Sequence, residues 1–305
     1  MMGAIFTVIE KVAVMLILIV AGFGITRAGW LTEKGAAEIT TLLVKLVTPC
    51  LIINSLLGAG SLAVGEMLLA AAVSAMAIVM AIGVSLCFFK KEPLPRRKVL
   101  RFAVIFSNAG FMGLPLVSGI VGERGVVFGS FFVAVFNLIC WTYGYSMMSG
   151  KGINVKTALL NPGVIGLAVG LPIYFLKISL PAVISEPIGF LANLNPPLAM
   201  LVIGSYVAKV DARSFFSDLS VYKMSFLRLI VCPGVFLLAL VFLRPEQDLL
   251  LSSVIQASAP VAANTALFAV EYGGDSALAS KTVAVSTVLS ILTMPLLTLL
   301  AQMIA

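Results

Sequence analysis

Histidine is absent from the sequence, and charged side chains are scarce, at 11% of 305 residues. The first absence removes the usual proton shuttle at neutral pH and the commonest metal ligand. The second excludes a soluble globular domain, because 61% of the residues are hydrophobic and the mean hydropathy is +1.13. All four cysteines, Cys50, Cys87, Cys140 and Cys232, fall inside apolar runs, so they suggest neither a disulfide framework nor a metal cluster. The start of the chain, MMGAIFTVIEKVAVMLILIVAGFG, lacks a basic leader and a small-residue cleavage site, and reads as a retained first span. Intramembrane catalysis would need a nucleophile with a base, or a metal set. The sequence has no HExxH and no close pair of intramembrane carboxylates, so a non-enzymatic protein without a cofactor is expected.

What is present is apolar length. A span takes about 20 mostly apolar residues, and such runs fall at roughly 5–26, 36–57, 64–89, 99–120, 126–148, 157–177, 183–207, 220–242, 249–270 and 277–303. The pattern predicts an all-α polytopic membrane protein of roughly ten transmembrane helices, with little left for a separate soluble domain. Most of the 20 Lys and Arg sort to one side. Arg27, Lys34, Lys90, Lys91, Arg96, Arg97, Lys98, Arg101, Lys151, Lys156, Lys209, Arg213, Lys223 and Lys281 follow odd-numbered spans. The other loops hold Arg124, Lys177 and Arg244. By the positive-inside rule the odd-numbered loops are cytoplasmic and both termini lie outside a cell (inner) membrane. The net charge of +7 is then an orientation signal, and nucleic acid is not an expected partner.

Five spans followed by five more must run in opposite directions, so the halves, 1–150 and 151–305, invite comparison. Span two reads LVTPCLIINSLLGAG and span seven LNPPLAMLVIGSYVA. Span four reads SNAGFMGLPLVSGIVGERG and span nine SAPVAANTALFAVEYGGDS, each broken near its middle and closed by a Gly-containing turn. Broken helices at corresponding places in two halves are the signature of an inverted-repeat secondary transporter.

The stretch FSNAGFMGLPL (106–116) places Asn108, Gly110, Gly113 and Pro115 in mid-span. Proline removes a backbone bond and costs about 3 kcal/mol within a helix, and glycine adds about 1 kcal/mol. Non-helical backbone at that depth survives only inside protein or beside a cavity. If spans four and nine unwind and cross there, half-helix N-termini at about 113–116 and 260–263 converge and attract negative charge. Asn108 and Asn264 add amides, which gives an organic-anion site around Gly110, Gly113, Pro115 and Pro260.

Asn54, Asn137, Asn195, Gln256, Ser258 and Thr265 either line that cavity or bridge neighbouring helices. Glu10 and Lys11 read as a surface pair. Lys45 and Arg228 are expected to snorkel toward the cytoplasmic interface. No acidic residue sits near either break, which leaves the coupling ion open.

Five motifs in order, VTPCLI, NAGFMGLPL, NPPLAMLVIG, RLIVCP and QASAPVAANTALFAVEYGGD, resemble the auxin efflux carrier family, which includes bacterial carriers of malonate and related dicarboxylates. The resemblance spans essentially the whole chain. It implies ten helices in two inverted five-helix repeats, with a scaffold of spans one, two, six and seven and a transport domain of the other six, crossed by spans four and nine. It also implies an elevator-like motion and a homodimer built through the scaffold. Asn108, Pro115 and Pro260 would shape a carboxylate site that Thr48 faces from the scaffold.

The fold is similar to that of the bile acid and sodium symporters, but their acidic crossover residue has no counterpart in ASAPVAANTALF. Ser107, Ser258 and Thr265 are the hydroxyls available to a sodium ion. The long loop of plant members is replaced by residues 149–156, and their acidic residue in span three by the apolar stretch 69–73. The reading that follows is a secondary carrier of small organic anions, either mono- or dicarboxylates or auxin-like carboxylates. The alternatives are a sodium-coupled symporter of bile-acid type, coupling to protons, and a non-transporting ligand sensor.

Overall fold

The computed structural model describes residues 2–58, 62–152, 159–160, 162–208 and 218–304. Lys156, Lys209 and Arg213, which entered the charge count, lie outside them, as do residues 153–156 of the connection 149–156 and the side chain of Lys11. The described residues are helical throughout, apart from short turns and one isolated β-bridge. In chain order the helices are α1 (Met2–Arg27), α2 (Glu33–Gly58), α3 (Val64–Cys87), α4 (Leu94–Ile105), α5 (Ala109–Ile120) and α6 (Glu123–Ser149). Then follow α7 (Pro162–Phe175), α8 (Ala182–Ala208), α9 (Leu219–Leu243), α10 (Gln247–Ser258), α11 (Asn264–Glu271) and α12 (Ser276–Ile304). Six of these, α2, α3, α6, α8, α9 and α12, are long and apolar enough to cross a membrane. Shorter apolar helices, α5, α7 and the stretch Ala13–Arg27 of α1, accompany them.

Prolines leave a regular mark on these helices. In α2, α5 and α9 a five-residue π-helical turn (Leu43–Val47, Ala109–Gly113 and Leu227–Val231) ends two residues before Pro49, Pro115 and Pro233. The carbonyl four residues before each proline, on Lys45, Phe111 or Leu229, is the one its ring would strike. Each of these residues is the central one of its π turn, where the wider coil turns the carbonyl aside and the helix continues.

Glycines set two close crossings. A Cβ on Gly22 of α1 would lie 2.3 Å from the Leu201 carbonyl oxygen of α8, and one on Gly204 would lie 2.1 Å from that of Ile19. In the second crossing a Cβ on Gly166 of α7 would lie 3.0 Å from the Cα of Pro49 in α2. Close backbone approach by small residues is how helices associate where lipid offers no hydrophobic drive.

Two corrections concern single residues. The first interruption lies at 106–108, ahead of the glycines, and α5 restarts at Ala109 instead of at 113–116. Pro115 falls just after the π turn, where the helix tolerates its missing N–H, so it breaks nothing. The second correction is Arg228. It does not snorkel but is 2% exposed, held by main-chain carbonyls deep in the fold. Lys45, by contrast, is exposed.

Candidate functional site

The two interruptions meet. Residues 106–108, between α4 and α5, and 259–263, between α10 and α11, run antiparallel through a bridge between Ser107 and Val261. Asn108 N–H donates to the Pro260 carbonyl at 2.7 Å, and Ala262 N–H donates to that of Phe106 at 2.9 Å. A proline cannot donate, but here Pro260 only accepts, so its place in the pairing costs nothing. Four helix ends therefore gather at one point, the C-termini of α4 and α10 and the N-termini of α5 and α11.

Buried main-chain groups must find partners, and most at the C-termini do. The guanidinium of Arg228 donates through Nη1 to the carbonyls of Val104 at 2.9 Å and Ile105 at 3.1 Å, and through Nη2 to that of Ala257. Ser258 Oγ donates to the Ile255 carbonyl, and Ala259 N–H to that of Gln256. At the N-termini the first N–H groups have no acceptor within their own helices. The Asn108 carbonyl accepts from Met112 and Gly113, and Val261 N–H donates to Ser286 Oγ at 3.1 Å.

Of the residues expected at the site, the bridge brings Asn108, Ser107 and Pro260 together, with Asn264 opening α11 beside them. Asn108 is 8% exposed, and its side-chain amide has no hydrogen-bond partner among the described residues. The Asn264 side chain stands beside the buried Cys140. Among the described residues the buried Thr265 Oγ1 has no partner. Gly110 has open space where a Cβ would be, whereas a Cβ on Gly113 would lie 1.9 Å from Gln256 Oε1. Gln256 is wholly buried and donates through Nε2 to the Gly129 carbonyl at 3.0 Å, so it wedges α10 against α5 and α6.

Thr48 and Asn195 form a pair of their own, with Asn195 Nδ2 donating to Thr48 Oγ1 at 3.3 Å. Asn54 faces α8, with its Oδ1 3.4 Å from where a Cβ on Gly189 would sit.

A cavity of about 780 Å³ reaches the second interruption at Ala263 and the first turn of α11 at Ala266. Its mouth carries Arg96, Asp218, Asp275 and Lys281, and Tyr206 of α8 forms part of the wall. Arg96 and Lys281 had registered in the sequence only as topology markers and the two aspartates not at all, because the loops that bring them together are far apart in the chain. Arg96 binds Asp218 at 2.7 Å, Glu92 at 3.2 Å and Asp275 at 3.5 Å. Burial alone would push the Asp218 carboxyl up. Hydrogen bonds from Arg96 and the Ser220 N–H, with the charges of Arg96 and Lys281, outweigh it and hold that carboxyl below its ordinary range. A second such cluster joins Arg124 to Glu246 at 2.8 Å, Glu66 at 2.9 Å and Asp248 at 3.7 Å. Each cluster ties elements of the first half of the chain to elements of the second.

A family profile described as membrane transport protein matches residues 7–157 and 152–298. An uncharacterized transporter of Methanothermobacter thermautotrophicus (strain Delta H) is 26% identical over 295 residues, which cover 94% of this chain and 96% of that one. Two matched segments that together take in nearly all of the chain agree with the order of the motifs VTPCLI, NAGFMGLPL, NPPLAMLVIG, RLIVCP and QASAPVAANTALFAVEYGGD, and the chain belongs to the membrane transport protein family, that of the auxin efflux carriers.

Proposed function

We propose that this transporter is a secondary carrier of small organic anions, mono- or dicarboxylates such as malonate or auxin-like carboxylates, which it binds where its interrupted helices cross. The observation that carries the reading is the crossing itself. The N-termini of α5 and α11 meet there beside the unpartnered amide of Asn108, and a cavity of about 780 Å³ reaches the α11 side of the crossing at Ala263 and Ala266. Helix N-termini and amides favour a carboxylate, and the volume suits a small molecule. The protein works without a cofactor and as no enzyme.

In this reading α4 with α5 is the fourth of ten spans and α10 with α11 the ninth, in two inverted repeats, 1–150 and 151–305. The glycine crossings support it. Exchanging the repeats maps the contact of spans one and seven (α1 with α8) onto that of spans six and two (α7 with α2), and both contacts are made at glycine. Those four spans form the scaffold and, through it, a homodimer. The other six move as an elevator in the cell inner membrane, with both termini outside. The charged mouth then faces the cytoplasm.

The test is counterflow of labelled malonate into proteoliposomes preloaded with malonate, malate or an aromatic carboxylate. Accumulation is expected with at least one preload, and that preload names the cargo class. No accumulation with any preload, from protein shown to be folded, overturns the reading in favour of a ligand sensor.

A further inference from the structure

The binding reading leaves one buried charge unused. Arg228 is 2% exposed and lies inside a π turn of α9, and among the described residues no carboxylate is within ion-pair distance of it. Its Nε has no hydrogen-bond partner among them. Its two terminal nitrogens are committed to the carbonyls of Val104, Ile105 and Ala257, in the last turns of α4 and α10. In transporters built on broken helices, half-helix C-termini and unwound carbonyls are where a coupling cation is held. A helix end carries roughly half an elementary charge, so two C-termini together offer about one negative charge, which one guanidinium balances. The two N-termini at the same crossing offer about one positive charge, which matches one carboxylate.

We propose that Arg228 is a tethered cation that occupies the cation position of the crossing, so that the carrier binds its anion with no sodium ion held at those helix ends. The surroundings fit this assignment. The cavity beside Arg228, lined by Ser107, Ile105, Cys232 and Ala257 among others, measures about 10 Å³, room for one water at most. A sodium ion needs several oxygens, and three carbonyls at these ends are already taken by the guanidinium. Because its contacts tie α9 to the ends of both α4 and α10, Arg228 is a positioning residue for the anion site at the crossing. This deepens the carrier reading, and its test does not depend on knowing the cargo.

Thermal unfolding of the purified protein is compared in sodium chloride and in choline chloride of equal ionic strength, for the wild type, Arg228→Ala, Arg228→Lys and Arg228→Met. The wild type is expected to unfold at the same temperature in both salts. Arg228→Ala should unfold at a lower temperature and regain part of the loss on addition of sodium or of dilute guanidinium, either of which can enter the vacated place. Arg228→Lys, which keeps the charge, should exceed Arg228→Met, which keeps only the bulk. That pair decides the matter if Arg228→Ala does not fold. A sodium-specific rise in the wild type overturns the proposal, and so does equal stability of the lysine and methionine variants. A failed counterflow panel leaves these outcomes unchanged, so the two readings fail separately.

Discussion

Gly113→Ala isolates packing from binding at the crossing. Gly113 has helical angles, φ −66° and ψ −59°, so alanine would favour the helix by about 1 kcal/mol. The new Cβ, however, would lie 1.9 Å from Gln256 Oε1 and 2.9 Å from its Cδ. The amide has nowhere to go, because Gly129 stands against its other side, where an ideal Cβ position is 2.7 Å from Nε2. Relief therefore requires overpacking strain of about 1–3 kcal/mol. Displacing Gln256 also breaks its bond to the Gly129 carbonyl and strands buried polar groups, at about 1–3 kcal/mol. Set against the helical gain, Gly113→Ala should destabilise by about 3 kcal/mol.

Gln256→Ala alone forfeits the hydrogen bond and leaves a small void, about 2 kcal/mol. The double variant has no clash and keeps the helical gain, so it should cost about 1 kcal/mol, less than either single change. The assay is thermal unfolding in detergent read by a thiol-reactive dye on the buried Cys140 and Cys232, with the exposed Cys87 and half-buried Cys50 replaced by serine. Additive costs, near 5 kcal/mol for the double variant, would refute the contact and leave Gly113 as an opening for the anion.

Further outcomes can be stated briefly. Asn108→Ala should leave folding intact and weaken anion binding about 10- to 100-fold, the worth of a hydrogen bond to a charged group; near-normal counterflow would remove Asn108 from the site. Gly204→Ala should unfold the protein at markedly lower temperature with no second-site rescue, because its Cβ would meet the backbone of α1 at 2.1 Å; unchanged thermal stability would show that α1 and α8 do not cross there. Since the Asp218 carboxyl is held below its ordinary value, its pairing with Arg96 contributes fully above that value and is lost as pH falls through the depressed one. The stability gap between wild type and Asp218→Asn should thus be flat across neutral and mildly acidic pH and close only below about pH 4; a gap that closes near neutrality contradicts the pairing.

Much of this was legible in the residues, though unevenly. The second interruption stands where Pro260 marks it, because a proline in mid-helix advertises the break. The first does not stand at Pro115, because a π turn absorbs that proline, and helix register is invisible to composition. Asn108 could be picked out by its own chemistry. Arg228 and Gln256 could be picked out too, but not where they bind, since their partners, at Val104 and Gly129, are more than a hundred residues away. Sequence position gives an isolated cation in an apolar run only its default route to the interface. The clusters around Arg96 and Arg124 were hidden for the same reason.

The two segments of the crossing are joined to each other by main-chain bonds, Asn108 N–H to the Pro260 carbonyl and Ala262 N–H to that of Phe106. Such fastening is indifferent to which side chains decorate it. Mutational drift at the neighbouring positions can therefore retune what the site accepts without dismantling the joint that presents it, and one architecture is free to diversify its cargo by small steps.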